Sequence, residues 1–406
     1  MQRREFLASL SLATASTLIE PKFGFGSFAF AQNSPQPNST SIQEALNNAI
    51  PSRIARAQEQ MKSAKIDLLF ALPSKNMTYL SKLRTGRSER LIALLLPQSG
   101  EPIVITPAFE ESRLKQANST IKTAPWEESE NPYQLTLDIF KKLGVSRIGL
   151  EPSTDLNTYW KIRALAPNNL ELVDAEPIFT ALRLQKSPEE LEAIKYANRV
   201  TLEAITATHS ALTVDKTESE VSSIVSQEMK KLGVSGGGLV QFGPSAALPH
   251  GGPSEVKLSR AMAVLIDVGC EVSGYTSDIT RTIFWGEAPS AKYKEIYNIV
   301  WQAQQAGVEA AKAGVECQAV DSAARAVIEK AGYGKYFTHR LGHGLGMDGH
   351  EAPYLVKGNN FRLQPGNVVT IEPGIYLPGE FGVRIEDVFL ITEKGCQTLS
   401  QRAATI

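Results

Sequence analysis

The 406-residue sequence predicts an α+β protein with two unequal domains. In the first half of the chain, short apolar runs alternate with polar helical stretches, which is typical of a small α/β domain. In the second half, helices with N-terminal capping signals are segregated from pairs of apolar strands, which favours an α+β domain. The formal net charge of -1 gives no electrostatic reason to expect a nucleic acid or an anionic membrane as a partner.

The N-terminus resembles an export signal. Two adjacent arginines in Arg3–Leu7 precede an uncharged, mostly small and apolar run to Ile19, and Ala29–Ala31 fits signal cleavage. The arginine pair is similar to a twin-arginine signal, which exports folded proteins; the alternatives are a Sec signal and an uncleaved anchor. We expect a signal peptide over residues 1–31, a Pro/Ser/Asn-rich linker over residues 32–41, and a periplasmic or extracellular protein with no stable membrane anchor after cleavage.

The first domain is predicted over residues 42–180. Its short apolar runs are assigned to strands at Asp67–Leu72, Leu91–Leu96, Ile103–Thr106 and Arg147–Leu150. This part of the sequence has no histidine, no paired carboxylates and no glycine-rich phosphate loop. We therefore expect it to shape access or assembly rather than to carry the chemistry.

The second domain is predicted over residues 187–402. Ser187 is suited to be an N-cap, Pro188 the first helical residue and Glu190 the capping-box partner of a helix that reaches about Leu212. Capping signals and amphipathic patterns predict further helices over residues 217–233, 290–313 and 320–331.

A hairpin with one carboxylate on each strand is predicted next. Asp267 interrupts the apolar run Val264–Gly269, and Asp278 lies on the returning run Tyr275–Phe284. A single aspartate in a strand is most often a salt-bridged or edge residue. Two aspartates on paired strands, however, can converge on one cation as oxygen ligands.

Three of the five histidines, His339, His343 and His350, fall within twelve residues in and beside a glycine-rich segment. One interpretation is a flexible loop with solvated histidines. The other is a metal ligand together with a catalytic group, because glycines let the backbone approach a site closely and histidine serves in both roles.

Two further acids lie in apolar surroundings near the C-terminus. Glu372 follows the run Val368–Ile371, and Glu386 lies among alternating apolar residues in Val383–Val388. Arg384 shares a strand face with Glu386, so it is either half of an ordinary cross-strand ion pair or a group that orients ligand carboxylates. Buried ionised carboxylates need a shared counter-charge, and a pair of divalent ions is the simplest one.

These motifs resemble those of the pita-bread metallopeptidases, the family of methionine aminopeptidase, aminopeptidase P and prolidase. The features that match the Xaa-Pro branch are the spacing of Asp267 and Asp278, Gly342–Gly344 continuing to His350–Pro353, the turn Thr370–Gly374, and Arg384–Glu386. Gly243–His250 and Ser74–Leu80 also look like that branch. The resemblance implies a pita-bread catalytic domain preceded by a smaller, creatinase-like N-terminal α/β domain.

The resemblance also implies roles for individual residues. Asp267 would bind one metal ion, His343 and Glu372 the other, and Asp278 and Glu386 would bridge both. Glu372 would also relay the proton of an activated water. His350 and Arg384 would stabilise developing charge, and His250 would hold the scissile residue. The donor set suits two divalent ions, with manganese expected from the family and cobalt, iron or zinc as alternatives.

The expected activity is removal of the N-terminal residue from peptides with proline in the second position. Alternatives are a prolidase restricted to Xaa-Pro dipeptides and a hydrolase of a small non-peptide amide, similar to creatinase or ectoine hydrolase. A non-catalytic peptide-binding relative would have substituted ligands, and no such substitution is present at the five positions. Relatives are commonly dimers or larger, so a homodimer or a higher homo-oligomer is expected.

Overall fold

The computed structural model describes residues 38–251 and 254–406. The predicted signal peptide and most of the predicted linker lie outside these residues. The first helix begins at Ser39, inside the predicted linker, because the Asn38 side chain caps it by accepting a hydrogen bond from the Ser41 N–H at 2.9 Å. No helix in the described ranges combines the length and apolar character needed to cross a membrane.

The N-terminal part alternates helices and strands around one sheet. Its elements are α1 (Ser39–Asn48), α2 (Ile50–Ala64), β1 (Leu68–Ala71), α3 (Lys75–Ser81), β2 (Ala93–Pro97), β3 (Ile103–Pro107), α4 (Glu111–Ala117), β4 (Lys122–Trp126), α5 (Pro132–Leu143), β5 (Arg147–Leu150), α6 (Leu156–Leu165), β6 (Glu171–Asp174) and α7 (Glu176–Leu184).

The six strands form a mixed sheet in the order β4-β3-β2-β1-β5-β6. Strand β1 is antiparallel to β2 and parallel to β5, and all four of its residues are buried. Leu68 and Phe70 pack on one face of the sheet, and Leu69 and Ala71 pack on the other. Both faces are therefore covered, which explains why this strand is apolar at every position.

The C-terminal part has four long helices and eleven strands within the described residues. They are α8 (Pro188–Ser210), α9 (Glu218–Lys231), β7 (Ser235–Phe242), β8 (Met262–Val272), β9 (Tyr275–Thr276), β10 (Ile279–Trp285), α10 (Ala291–Ala310), α11 (Cys317–Lys330), β11 (Gly342–Gly344), β12 (Glu351–Leu355), β13 (Val368–Ile371), β14 (Gly374–Leu377), β15 (Phe381–Arg384), β16 (Asp387–Ile391) and β17 (Cys396–Thr398).

Two sheets and a hairpin form the framework of this part. One sheet has the order β10-β8-β7, with β9 paired to β8; the second has the order β12-β11-β13-β16-β17, and β14 pairs with β15. Apolar side chains of α8 and α9 cover the first sheet, and those of α10 and α11 cover the second. The sheets meet where the Glu386 N–H donates to the Thr280 carbonyl at 3.2 Å. Acidic side chains from both sheets are thereby brought together.

The capping signals predict the helix starts closely. Helix α9 begins with a full capping box, in which the Glu220 N–H donates to Thr217 Oγ1 at 3.1 Å and the Thr217 N–H donates to Glu220 Oε2 at 2.8 Å. Ser290 caps α10 by accepting from the Tyr293 N–H at 3.1 Å. The α+β class is confirmed, with a smaller α/β domain before the larger one.

The strand predictions need two corrections. The edge strands β4 and β6 were not predicted, because β4 contains Pro125 and polar residues and β6 begins and ends with an acid. Asp278 lies in the break between β9 and β10 rather than within a strand. The Ser277 carbonyl lies 2.1 Å from where a Cβ of Gly269 would be, so only glycine fits opposite this break.

Candidate metal centre

The five predicted metal ligands lie together where the two sheets meet. They are contributed by strand β8 (Asp267), the break before β10 (Asp278), β11 (His343), the residue after β13 (Glu372) and the residue before β16 (Glu386). Three of them stand at strand ends, where the chain turns and the side chain can point toward a neighbouring sheet. Their convergence is a finding of the structure, and their role as ligands stays a prediction.

The donor atoms form overlapping groups within 4.8 Å. His343, Glu372 and Glu386 make one group, and Asp267, Asp278 and Glu386 make a second. A third group joins Asp278 and His343 to His350, which was not predicted to be a ligand. His343 Nε2 lies 3.3 Å from Glu372 Oε1 and 3.7 Å from Asp278 Oδ2. Because Glu386 belongs to two groups, the arrangement offers two adjacent cation positions that share a carboxylate.

The orientation of His343 is fixed by its backbone. The ring is buried, and Nδ1 lies 2.9 Å from the Gly344 carbonyl oxygen. Since a carbonyl only accepts, Nδ1 carries the hydrogen and Nε2 keeps a lone pair directed at the carboxylates. Thr370 Oγ1 accepts from the His343 N–H at 3.1 Å and donates to Glu372 Oε1 at 3.2 Å. Two predicted ligands are thus held by one hydroxyl.

The carboxylates repel one another strongly. Burial, and then the charges of Glu386, Asp267 and Glu372, raise the pKa of Asp278 well above its ordinary value. Burial, Glu372 and Asp267 do the same to the pKa of Glu386, and burial raises the pKa of Glu372 to about 8. Divalent cations would relieve this repulsion. A donor set of four carboxylates and one imidazole suits manganese, cobalt, iron or zinc, so these residues fit the metal ions that the sequence predicts.

Arg384 is held against the cluster by a chain of polar side chains. Its Nη2 donates to Asp267 Oδ2 at 2.5 Å, its Nε donates to Thr280 Oγ1 at 3.2 Å, and its Nη1 donates to the Tyr376 hydroxyl at 2.8 Å. The Tyr376 hydroxyl lies 2.7 Å from His339 Nε2. Thr280 Oγ1 in turn donates to Glu386 Oε2 at 2.7 Å. Arg384 therefore orients carboxylates of both groups rather than forming a simple cross-strand pair.

Replacing Tyr376 by phenylalanine should lower turnover by about tenfold while metal content stays near wild type, since partners behind ligands typically contribute about 10- to 100-fold. The change leaves Arg384 Nη1 with only the Pro249 carbonyl, at 3.3 Å. The matched control is Tyr297→Phe, which removes a buried hydroxyl that donates to the Ala404 carbonyl at 2.8 Å. Equal turnover in the two variants would contradict the role of Tyr376.

A cavity of about 260 Å³ opens beside the cluster. Its lining includes Gly237 and Gly238 of β7 together with His250, Asp267 and Asp278. A Cβ on Gly238 would lie 2.3 Å from the Asp267 carbonyl oxygen, so only glycine fits beside this part of β8. His250 thus lines the same cavity as Asp267 and Asp278, where a bound ligand would lie near all three side chains.

His350 lies beside His343. Its ring centroid is 4.0 Å from that of His343, and Arg340 Nη2 donates to its Nδ1 at 3.2 Å. Desolvation, together with His343 and Arg340, lowers the pKa of His350 to about 4. The ring is therefore neutral near pH 7, with its hydrogen on Nε2 because Nδ1 accepts from Arg340.

Several residues of the site were missed by the sequence analysis. Thr280 and Thr370 each stand two positions from a predicted ligand. In an extended chain this spacing places two side chains on the same face, a signal that could have identified both threonines. Tyr376 could have been found from the hairpin register. Gly374 pairs with Arg384 and Tyr376 pairs with Gly382, so Tyr376 and Arg384 lie on the same face of the hairpin. Arg340 carries no comparable signal.

Two family models match this chain. Residues 192–393 match the metallopeptidase family M24, and residues 53–185 match the creatinase/prolidase N-terminal domain. The Bacillus subtilis protein YkvY, which carries a provisional dipeptidase name, is 36% identical over 354 residues, covering 86% of this chain and 97% of that protein.

Solved structures are similar over the same extent. A prolidase from Thermococcus sibiricus is 33% identical with a TM-score of 0.79, covering 86% of this chain and 96% of that one. An X-Pro aminopeptidase from Thermotoga maritima is 28% identical with a TM-score of 0.78, covering 87% and 98%. The chain belongs to the M24 family of divalent metal-dependent peptidases and carries the creatinase/prolidase type of N-terminal domain.

Proposed function

We propose that this protein is a dinuclear metal exopeptidase that hydrolyses the peptide bond between an N-terminal residue and a following proline. The observation that carries the proposal is the pair of metal-donor groups that share Glu386. They lie beside a cavity that is lined in part by His250. Two divalent ions bound there would supply an activated water and polarise the substrate carbonyl. Asp267, Asp278 and Glu386 would hold one ion, and His343, Glu372, Asp278 and Glu386 the other.

The chain's own residues would divide the remaining work. Glu372, oriented by Thr370, accepts the proton of the attacking water and returns it to the leaving proline nitrogen. His350 presents Nε2–H as a donor to the carbonyl oxygen as negative charge develops, a contribution of roughly 3 to 4 kcal/mol for a well-placed donor. Arg384 holds the carboxylate of Asp267 in place by a direct hydrogen bond and that of Glu386 through the Thr280 hydroxyl. His250 contacts the substrate residue in the cavity.

Xaa-Pro dipeptides are the substrates that we favour. The cavity of about 260 Å³ is slightly smaller than typical ligand pockets, which run from about 300 to 1,000 Å³. The similarity to a solved prolidase at 33% identity also supports dipeptides. Longer Xaa-Pro peptides are the second candidate, because the Thermotoga maritima X-Pro aminopeptidase shares the fold over nearly the same length.

The test is hydrolysis of Xaa-Pro dipeptides beside Xaa-Pro-Yaa tripeptides. Protein starting at Gln32 would be stripped with chelator and reconstituted with manganese, cobalt, iron or zinc, and bound metal would be counted. We expect dipeptide cleavage that returns with metal, most strongly with manganese. Tripeptide cleavage would identify an aminopeptidase instead. Failure to cleave either class with two ions bound per chain would overturn the proposal and favour a small amide substrate.

We also propose that residues 1–31 direct export by the twin-arginine route, supported by the arginine pair and the apolar run that follows. Changing both Arg3 and Arg4 to lysine should retain the full-length protein in the cytoplasm, because that route recognises the arginine pair rather than charge alone. Fractionation of cells expressing each version would measure this. Unchanged export of the double variant would indicate a Sec signal.

A further inference from the structure

Two basic side chains hold residues close to His350. They come from outside the two sheets of the C-terminal part. We call residues 346–351 the His350 turn. Arg183, on α7, donates from Nη2 to Asp348 Oδ2 at 2.6 Å and also pairs with Glu351 Oε2. Lys186, in the connection between α7 and α8, donates from Nζ to Glu351 Oε1 at 2.8 Å. Both carboxylate oxygens of Glu351 are therefore engaged.

This contact is buried and closely packed. The side chains of Lys186, Glu351 and Arg183 are 2%, 11% and 13% exposed. Burial alone would raise the pKa of Glu351, yet Lys186 and Arg183 hold it below its ordinary value. A Cβ on Gly346 would lie 2.5 Å from Glu351 Oε1 and 2.7 Å from Lys186 Cε, so the turn has little room to shift. Removing one member of such a pair leaves an uncompensated buried charge.

The same network continues into the N-terminal domain. Arg183 Nη1 donates to Asn76 Oδ1 at 3.1 Å, and Asn76 Nδ2 donates to Glu151 Oε1 at 3.0 Å. Asn76 lies in the Ser74–Leu80 segment, one of the features that resembles the Xaa-Pro branch. Among the described residues, none of the three metal-donor groups includes a residue before Asp267. The network therefore links the N-terminal domain to the neighbours of a proposed catalytic histidine without supplying a ligand.

The opposite side of the His350 turn is also fixed. The Thr276 N–H donates to the Gly346 carbonyl at 2.8 Å, and Thr276 stands two residues before Asp278. The turn is thus held between the strand that leads to a predicted ligand and the basic pair Arg183 and Lys186. The ring of His350 is contacted by Arg340 and His343, and its position follows that of the backbone that carries it.

We propose that Arg183 and Lys186 are positioning residues for His350, through which the N-terminal domain sets catalytic efficiency. The inference rests on the proposed function, since it assigns a role to the histidine that faces the substrate carbonyl. A misplacement of about 1 Å in a catalytic group can reduce the rate by about 100-fold. Loss of either positioning residue should therefore lower kcat much more than it changes KM.

A second cross-domain ion pair provides a matched control. Lys75 Nζ and Arg84 Nη1 donate to the two oxygens of Glu271 at 2.6 and 2.9 Å. These contacts also join the N-terminal domain to the catalytic domain, but within the described part of the chain none of the three residues makes a hydrogen bond or ion pair with the His350 turn. If Arg183 served only to dock the domains, Lys75→Met and Arg183→Met should have similar consequences.

The experiment compares wild type, Arg183→Met, Arg183→Lys and Lys75→Met as manganese-loaded protein. We expect Arg183→Met to lower kcat on Xaa-Pro dipeptides by about 10- to 100-fold with full metal content, as outer partners typically do. Arg183→Lys should recover part of that loss, and Lys75→Met should stay within about twofold of wild type. Asp348→Asn, which removes a partly exposed partner, gives a second variant that should fold if Arg183→Met does not.

A spectroscopic readout separates positioning from stability and from the proposed activity. Zinc-loaded protein labelled with 15N-histidine has five imidazoles, and His350→Gln identifies the signals of His350. These signals should shift or broaden in Arg183→Met and remain in place in Lys75→Met, even if wild type cleaves no Xaa-Pro peptide. Wild-type kcat in Arg183→Met, or a lowered kcat with unchanged His350 signals, would overturn the inference.

Discussion

Replacing Glu372 by glutamine should lower kcat by about 10²- to 10⁴-fold, the range that a positioned proton acceptor contributes. The substitution keeps the shape of the side chain and one oxygen for the Thr370 hydroxyl, which lies 3.2 Å from Glu372 Oε1. It removes the second ionised oxygen and therefore the site that takes the water's proton. Steady-state hydrolysis of Xaa-Pro dipeptides by metal-loaded protein measures the effect.

The matched control for this prediction is Glu380→Gln. Glu380 also has an engaged carboxylate, which pairs with Lys292 Nζ at 2.7 Å, but it lies in the turn between β14 and β15 and is about half exposed. The metal content of each variant should be counted, because loss of an ion would assign the effect to ligation instead of proton transfer. Turnover near wild type in fully loaded Glu372→Gln would remove Glu372 from its proposed role.

The sequence predicts local features of this protein better than contacts between distant segments. The starts of α9 and α10 follow from Thr217, Glu220 and Ser290, because capping is decided within four residues. The central strands β1, β2 and β3 follow from buried apolar runs. The edge strands β4 and β6 were not predicted, since an edge strand has one side without hydrogen-bonded neighbours and so tolerates polar residues and proline.

In the candidate site, too, local features were predicted and contacts between distant segments were not. The five acidic and imidazole residues could be selected from sequence because charged groups in apolar strands are costly without a counter-charge. The residues that support them could not, since their partners are far away along the chain. Arg183 and Asp348 are 165 positions apart, and Arg384 and Thr280 are 104 apart. Only the folded sheets and the junction between domains bring these pairs together.

Chelator-stripped protein should lose stability as the pH rises from about 6.5 to about 8. Crowded carboxyls hold protons in the folded state: the pKa of Glu372 is raised to about 8, and those of Asp278 and Glu386 are raised well above their ordinary values. The unfolded chain has already released these protons at pH 6.5. Because the folded state then binds more protons than the unfolded state, its stability falls with pH, by about 1.4 kcal/mol per pH unit for each such proton.

Histidines oppose this trend in the lower half of the window only. Burial lowers the pKa of His209 and His339 to about 4, from an ordinary value of 6.5. Between about 4 and 6.5 the unfolded state therefore binds more protons at these residues, and their contribution to stability rises with pH. At pH 6.5 the histidines of the unfolded state are still about half protonated, and they become neutral by about pH 7.5, so the carboxyl contribution governs the upper half of the window.

Urea unfolding of stripped protein at pH 6.5, 7.25 and 8 measures the effect, with Asp278→Asn as the diagnostic variant. The variant removes one member of the repelling set, so its stability should depend less on pH and should exceed that of wild type at pH 8. Asp138→Asn, on the exposed side of α5, serves as the control and should follow wild type. Saturating metal should abolish the dependence in wild type, because cations displace the shared protons. A stability that rises between pH 7.25 and 8 in stripped wild type would show that the carboxyls are ionised without a cation, and the main physical argument for a metal centre would then fail.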